Sequence, residues 1–210
     1  LLFDLTTPLF SDYASKYRFV FLPPGEQAQW VEGTRGQPNV TIDFPVGTVI
    51  AKTFSFIDGN SEDVVETRLL IHRQDDDGNS FWEGIPYLWE TDANGNRTDA
   101  FLALAGGSKA VSWNYNDPST GQATSGSTGS YVVPHPNQCG TCHINEDRTA
   151  GDAPIGPKVR LLNRAMDYDG VSKNQLQHWV DVGILKGAPA LSLNENNIAT
   201  NAQRLPNFQL

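Results

Sequence analysis

The chain of 210 residues has two cysteines, Cys139 and Cys142, with only two residues between them. Two cysteines so close in sequence cannot form the set of disulfides that holds a small secreted domain together. His143 follows the second cysteine directly. We therefore expect the fold to be held by its hydrophobic core, and the segment from Cys139 to His143 is the strongest candidate for a functional site.

Composition excludes several classes of protein. The content of 39% hydrophobic and 19% charged residues, with 19 Gly and 13 Pro, favours turn-rich β structure over a helical bundle. The net charge of −9 argues against a nucleic-acid partner, because phosphate binding depends on clustered Lys and Arg. No apolar run approaches the ~20 residues of a transmembrane helix. The first ten residues lack the basic start and cleavage site of a signal peptide, so we expect a soluble, processed product.

The sequence before residue 130 predicts strands separated by turns. Residues 39–44 alternate between polar and apolar types, and 48–56 are rich in β-branched and aromatic types, so these two segments are predicted to pair. Further strands are predicted at 64–72, 81–90 and 98–105. Residues 117–130 are rich in Gly, Ser and Thr without an apolar pattern, which predicts a flexible loop or a domain junction.

Helical signals are concentrated after residue 143. Ser172 and Gln175 have the spacing of a capping box, and Gly183 stands where a helix would end. Three apolar residues between them share one helical face, Leu176, Trp179 and Val180. Apolar residues at spacings of three and four predict a second short helix over 158–166.

The run Cys139-Gly-Thr-Cys142-His143 has the spacing of a covalent haem site. Two intervening residues let both thiols face one porphyrin edge, where they add to the vinyl groups, while the imidazole reaches the iron. A zinc site would need two more soft ligands, and the chain has no other cysteine. A redox-active thiol pair would open a helix after a buried strand, whereas Pro134 and Pro136 precede this run. We predict one covalently attached haem c, with His143 as the proximal iron ligand.

The sequence does not determine the sixth iron ligand. Methionine would raise the reduction potential, a second histidine would lower it, and a vacant or water-bound position would allow ligand binding or catalysis. Met166 is the only methionine and the first candidate, with core packing as its alternative role. The other candidates are the three remaining histidines, His72, His135 and His178.

Six groups of segments carry a resemblance to a known family: 8–14 with Lys16, Arg18 and Phe19; 44–48 with 52–54; 66–70; 87–89; 137–143; and 154–158 with Leu162 and Asn163. On these segments the chain resembles the N-terminal part of a family of bacterial c-type cytochromes of poorly defined function, often encoded beside parallel β-helix proteins. Members usually carry two haems. The 210 residues contain one haem motif, so they correspond either to a single-haem relative or to part of a longer protein.

Two further similarities concern the surroundings of the haem. The strand pattern is similar, at a greater distance, to the sheet haem proteins of the cytochrome c′-β type, some of which oxidise hydroxylamine. That similarity implies a haem packed against the sheet near aromatic residues such as Phe54, Phe56, Trp82 or Trp89. Gly156-Pro157 resembles the pattern of small c-type cytochromes in which the proline carbonyl accepts a hydrogen bond from the ligand histidine. The alternative for Pro157 is a plain turn before a helix.

Together these features predict an α+β fold, with a β-rich sheet region at 1–130 and a small helical haem module with a C-terminal tail at 131–210. The predicted function is one-electron transfer by a mono-haem c-type cytochrome, docked through its acidic surface to basic redox partners. The alternatives are a haem enzyme or gas-binding protein with an open distal site for NO, hydroxylamine or peroxide, or a haem-bearing subunit of a larger assembly. Covalent haem attachment in bacteria takes place outside the cytoplasm, so we predict a periplasmic or extracellular protein.

Overall fold

The chain is built mainly of β-strands. The computed structural model describes residues 1–33, 40–93, 96–117, 121–139, 143 and 154–204. Within these ranges it forms thirteen strands, one 3₁₀ turn and two short α-helices. The prediction of a β-rich α+β fold is therefore confirmed.

The largest element is an eight-stranded sheet. Six strands follow one another antiparallel in the order β1 (Leu2–Phe3), β2 (Ser15–Phe21), β5 (Val49–Asp58), β6 (Ser61–Gln74), β7 (Ser80–Thr91) and β8 (Arg97–Leu102). A hairpin of β9 (Gly107–Asn116) and β10 (Ala123–Val133) joins the sheet where Asp58 pairs with Asn114. The strands predicted at 48–56, 64–72 and 81–90 are confirmed as β5 to β7, and the segment predicted at 98–105 forms β8 only as far as Leu102.

The predicted pairing of 39–44 with 48–56 is wrong. The first segment forms β4 (Thr41–Asp43), which pairs with β3 (Ala28–Val31) in a small sheet completed by β13 (Leu185–Lys186). Strand β5 pairs instead along its length with β2 and β6. A strand of three residues offers few ladder hydrogen bonds, and here it packs its single buried residue, Ile42, against the C-terminal part of the chain.

The prediction of a flexible loop or domain junction over 117–130 is wrong from Ala123 onwards, because β10 begins there and pairs with β9, while residues 118–120 lie outside the described residues. Most side chains of β10 are exposed, so the strand carries no apolar alternation that a sequence pattern could detect. Its small residues have a packing role. Gly126 lies directly against the indole of Trp113 on the neighbouring strand, at a separation that leaves no room for a Cβ atom.

We expect Gly126→Ala to lower the free energy of unfolding by about 1–3 kcal/mol, because the added methyl group would overlap the indole of Trp113. Gly129→Ala is the matched control, since a Cβ atom at that position of the same strand meets no heavy atom within 4 Å. Denaturant unfolding of both variants measures the difference. Equal losses in the two variants would contradict the contact.

The C-terminal part is less helical than the sequence indicates. Helix α1 covers only Val159–Leu162, and the chain then turns into a hairpin of β11 (Ala165–Tyr168) and β12 (Val171–Asn174). The predicted helix over 158–166 is therefore wrong beyond Leu162. The hairpin turn is made by Asp169 and Gly170, both with positive φ.

Helix α2 spans Gln175–Asp181, within the predicted segment. The predicted cap at Ser172 is wrong, because Ser172 lies in β12 and the Asn174 side chain caps the helix by accepting from the Gln177 N–H at 3.1 Å. Leu176 and Trp179 are fully buried, and Val180 packs at the edge of the same core. Gly183 follows the helix with a φ of +74°, which confirms the predicted stop.

Two hydrophobic cores lie on the same face of the large sheet. The first core packs that face against the small sheet and both helices, and its members include Phe3, Val20, Trp30, Ile42, Ile50, Val159, Leu162, Leu176 and Trp179. The second core lies beneath the β9–β10 hairpin and includes Phe54, Phe56, Val65, Val111, Tyr131 and Val133. No helix in the described ranges has the length and apolar character needed to cross a membrane.

Candidate functional site

The segment that leads into the cysteine-histidine motif is held by a reciprocal cap. The 3₁₀ turn Pro136–Gln138 begins after His135, whose Nδ1 accepts from the Asn137 N–H at 3.0 Å. In return the Gln138 side chain accepts from the His135 N–H at 2.9 Å. Cys139 closes the turn by donating its own N–H to the Pro136 carbonyl. The first cysteine therefore has a fixed backbone, set by the sequence His-Pro-Asn-Gln in front of it.

The motif begins above the inner face of the large sheet, the face that carries both cores. The 3₁₀ turn packs on β7, and Cys139 lies near Arg68 of β6. Cys139 and His143 are both half-buried. Cys142 lies outside the described residues.

Three basic residues cross the sheet side by side beneath this segment. Arg18 of β2 pairs directly with Lys52 of β5, and Lys52 pairs directly with Arg68 of β6. Directly paired residues project to the same face of a sheet, so the three side chains form one line, which we name the cationic row.

The cationic row separates the two cores. Two residues along each strand from the cationic row, on the same face of the sheet, lies an apolar row that belongs to the first core or packs against it. It consists of Val20, Ile50 and Leu70. Two residues from the cationic row in the opposite direction, the same face carries Lys16, Phe54 and Glu66. A row of cations at the boundary of two cores is costly unless negative groups compensate it.

Glu66 compensates Arg68. The Glu66 side chain is fully buried and accepts from Arg68 Nε at 2.9 Å and Nη2 at 2.5 Å. It also accepts from the Tyr131 hydroxyl at 2.6 Å. Burial lowers the pKa of Arg68, but the hydrogen bond and charge of Glu66 outweigh it and raise the pKa, with smaller contributions from Tyr131 and Cys139. Burial and the Glu66 charge also raise the pKa of Tyr131.

Asp4 compensates Arg18 but is shared. Arg18 is 4% exposed and donates to Asp4 at 2.7 Å, and Arg164 donates to the other oxygen of the same carboxylate at 2.6 Å. Burial lowers the pKa of Arg18, with Asp4 opposing the change. One carboxylate thus serves two guanidinium groups.

Lys52 is the least compensated member of the cationic row. Its Nζ atom lies 4.6 Å from the centre of the Phe54 ring, and Arg68 Cζ lies 4.5 Å from the same centre. Burial, followed by the charges of Arg18, Lys16 and Arg68, lowers the pKa of Lys52 to about 7. The pKa of neighbouring Lys16 is lowered to about 8, first by burial and then by Arg18. The site as a whole is short of negative charge.

These residues fit the chemistry of a haem. A haem is a flat apolar macrocycle that carries two carboxylates, and a c-type haem is bound through thiols with an imidazole as iron ligand. The site offers the thiol of Cys139, the imidazole of His143 and the charges of Lys52 and Arg68.

Two of the predicted site residues lie in the C-terminal part. Pro157 is buried just before α1, in a turn where the Lys158 N–H donates to the Gly156 carbonyl at 2.8 Å. Met166 is half-buried in β11, where it pairs with Lys173 of β12. Their contacts to the motif stay predictions.

The three alternative histidine ligands each have another contact. His72 Nδ1 lies 2.9 Å from the Phe44 carbonyl oxygen, and the His72 ring stacks on Trp82 at 4.5 Å between ring centres. His135 caps the 3₁₀ turn. His178 is half-buried with its ring centre 3.8 Å from that of Tyr168.

The cationic row was not predicted from the sequence. Its members come from three strands, and their side-by-side position depends on the pairing register. A signal was nevertheless present in β5, where Lys52 alternates with Ile50 and Phe54, both buried. A lysine in phase with core residues indicates a charge placed on a buried face, which is rare without a functional or structural reason.

Comparisons with models of protein families, with curated proteins and with solved structures find no match to this chain. Among the side chains that the structure describes, no three His, Cys, Asp or Glu residues converge on a common metal position. We therefore infer function from the cysteine-histidine motif and the cationic row.

Proposed function

We propose that this chain is a c-type cytochrome that carries single electrons outside the cytoplasm, with one haem attached to Cys139 and Cys142 and with His143 as the proximal ligand. The observation that carries the proposal is the position of the motif. It starts at a backbone fixed by the 3₁₀ turn, next to a face of the sheet that offers both apolar and cationic side chains. When bound, the haem supplies an iron that alternates between the ferric and ferrous states.

The protein's own residues would set the reduction potential. His143 would donate a nitrogen to the iron, and the sheet would exclude water from one side of the site. Lys52 and Arg68 place positive charge beside the site, and positive charge favours the reduced state of a nearby redox centre. We propose that this combination supports electron transfer.

The absorption spectrum of the ferrous holoprotein, recorded with and without carbon monoxide, tests the proposal. An electron carrier with a firm sixth ligand should show no prompt change. Met166→Ala should then create carbon monoxide binding if Met166 supplies that ligand, while His178→Ala serves as the control from the same C-terminal part. A prompt change in the unaltered protein would contradict a closed six-coordinate carrier.

A second candidate function is ligand binding or catalysis at an open sixth position. It is favoured by the engagement of His72, His135 and His178 in other contacts, which leaves Met166 or a vacant position among the predicted alternatives. A prompt spectral shift with carbon monoxide that persists in Met166→Ala would support this candidate. Turnover with NO, hydroxylamine or peroxide would then identify the substrate class.

The net charge of −9 predicts how the protein meets a redox partner. A partner with a basic docking patch would be attracted electrostatically, so we expect the bimolecular electron-transfer rate to fall as ionic strength rises. Stopped-flow measurements with a basic redox protein test this, with an uncharged small reductant as the salt-insensitive control. A rate with the basic partner that is independent of salt would contradict electrostatic docking.

A further inference from the structure

Lys52 needs a negative partner that the described residues do not supply. The nearby carboxylates are already engaged, Glu66 by Arg68 and Tyr131, and Asp4 by Arg18 and Arg164. Lys52 itself makes no ion pair within the described part of the chain. A half-buried ammonium group is costly without a counter-charge, so the site favours an added anion.

The cationic row extends away from the attachment cysteine. The 3₁₀ turn that ends at Cys139 packs on β7, Arg68 lies on the neighbouring strand β6, and Lys52 and then Arg18 follow on the next two strands. Neighbouring strands are about 4.8 Å apart, so the backbone positions of Lys52 and Arg18 lie one and two such steps from that of Arg68. The Lys52 ammonium lies 4.6 Å from the centre of the Phe54 ring, which is buried in the second core beside the row.

We propose that Lys52 binds a propionate of the haem attached at Cys139. This inference rests on the proposed function, because it requires the covalent haem. The thioether and propionate edges of a c-type haem lie on opposite sides of the macrocycle, as Cys139 and the far members of the row do. Lys52 donates from its ammonium group, while Nε and Nη2 of Arg68 stay bound to Glu66.

The direct test is resonance Raman spectroscopy of the propionate bending band in the holoprotein, combined with its midpoint potential. Lys52→Gln should shift the band and lower the potential, because a positive charge next to the redox centre is lost. Lys186→Gln makes the same charge change at an exposed position of β13 and should leave both unchanged. Lys52→Arg should retain the band, and Lys52→Met should reproduce Lys52→Gln if the glutamine variant folds poorly.

An unchanged band in both Lys52→Gln and Lys52→Met would overturn the proposal. A second result would also overturn it: a midpoint potential that changes with added acetate in the unaltered protein but not in Lys52→Gln. The cationic row would then bind a free carboxylate instead of a propionate. Absence of covalent haem from the unaltered protein would instead overturn the proposed function, and this proposal with it.

Discussion

Replacing Glu66 with alanine is expected to lower the free energy of unfolding by about 3–5 kcal/mol, because the change removes one partner of a largely buried ion pair. Glu66 is fully buried and binds both Arg68 and the Tyr131 hydroxyl. The variant would leave a guanidinium group and a hydroxyl group at the edge of the second core without their acceptor. Denaturant unfolding monitored by tryptophan fluorescence measures the loss.

Glu83→Ala is the matched control. Glu83 on β7 pairs with Arg73 on β6, the strand that carries Glu66 and Arg68, but the Glu83 and Arg73 side chains are 44% and 48% exposed. Solvent screening limits such pairs to about 0–1 kcal/mol. A loss in Glu66→Ala no larger than that in Glu83→Ala would show that the buried network contributes little to stability.

Asn163→Ala is expected to cost about 2–4 kcal/mol, because it would leave several buried backbone and side-chain groups without hydrogen bonds. Asn163 is fully buried after α1. Its Nδ2 donates to the Ala199 carbonyl at 2.8 Å, and its Oδ1 accepts from the Ala199 N–H and from Asn174 Nδ2, each at 2.9 Å. This one side chain connects the polar tail to both helices.

The control for this prediction is Asn201→Ala in the same tail. Asn201 also makes two side-chain hydrogen bonds, to Ala190 and Ser192, but it is exposed and water can replace them. We expect a loss of about 1 kcal/mol or less. Limited proteolysis gives a second readout, since Asn163→Ala should expose the tail to cleavage and Asn201→Ala should not.

The sequence predicts those elements whose apolar pattern and turn or cap residues lie within the element itself. The hairpins of β5, β6 and β7 have alternating segments and turn residues between them, and α2 has a clear apolar face and a glycine stop. The strand β10 has neither, because its exposed Gly, Ser and Thr residues are held by backbone pairing to β9. The hairpin after α1 depends on positive φ at Asp169, which no apolar spacing reveals.

Only one part of the candidate site has a signal within a short stretch of sequence. Spacing within five residues predicts a haem-binding role for Cys139, Cys142 and His143, whereas the cationic row depends on the register of three strands. The segments on which the family resemblance rests include Arg18, Lys52 and Arg68 without showing that they meet. Only the fold brings them together and leaves Lys52 without a carboxylate in the described residues.

The central claim is covalent haem attachment, and mass spectrometry of the denatured holoprotein, produced with a bacterial haem-attachment system, tests it most directly. We expect a mass equal to the chain plus one haem. Cys139→Ala and Cys142→Ala should each weaken attachment, and the double variant should abolish it. The mass of the bare chain in the unaltered protein, or haem that is released on denaturation, would contradict the account.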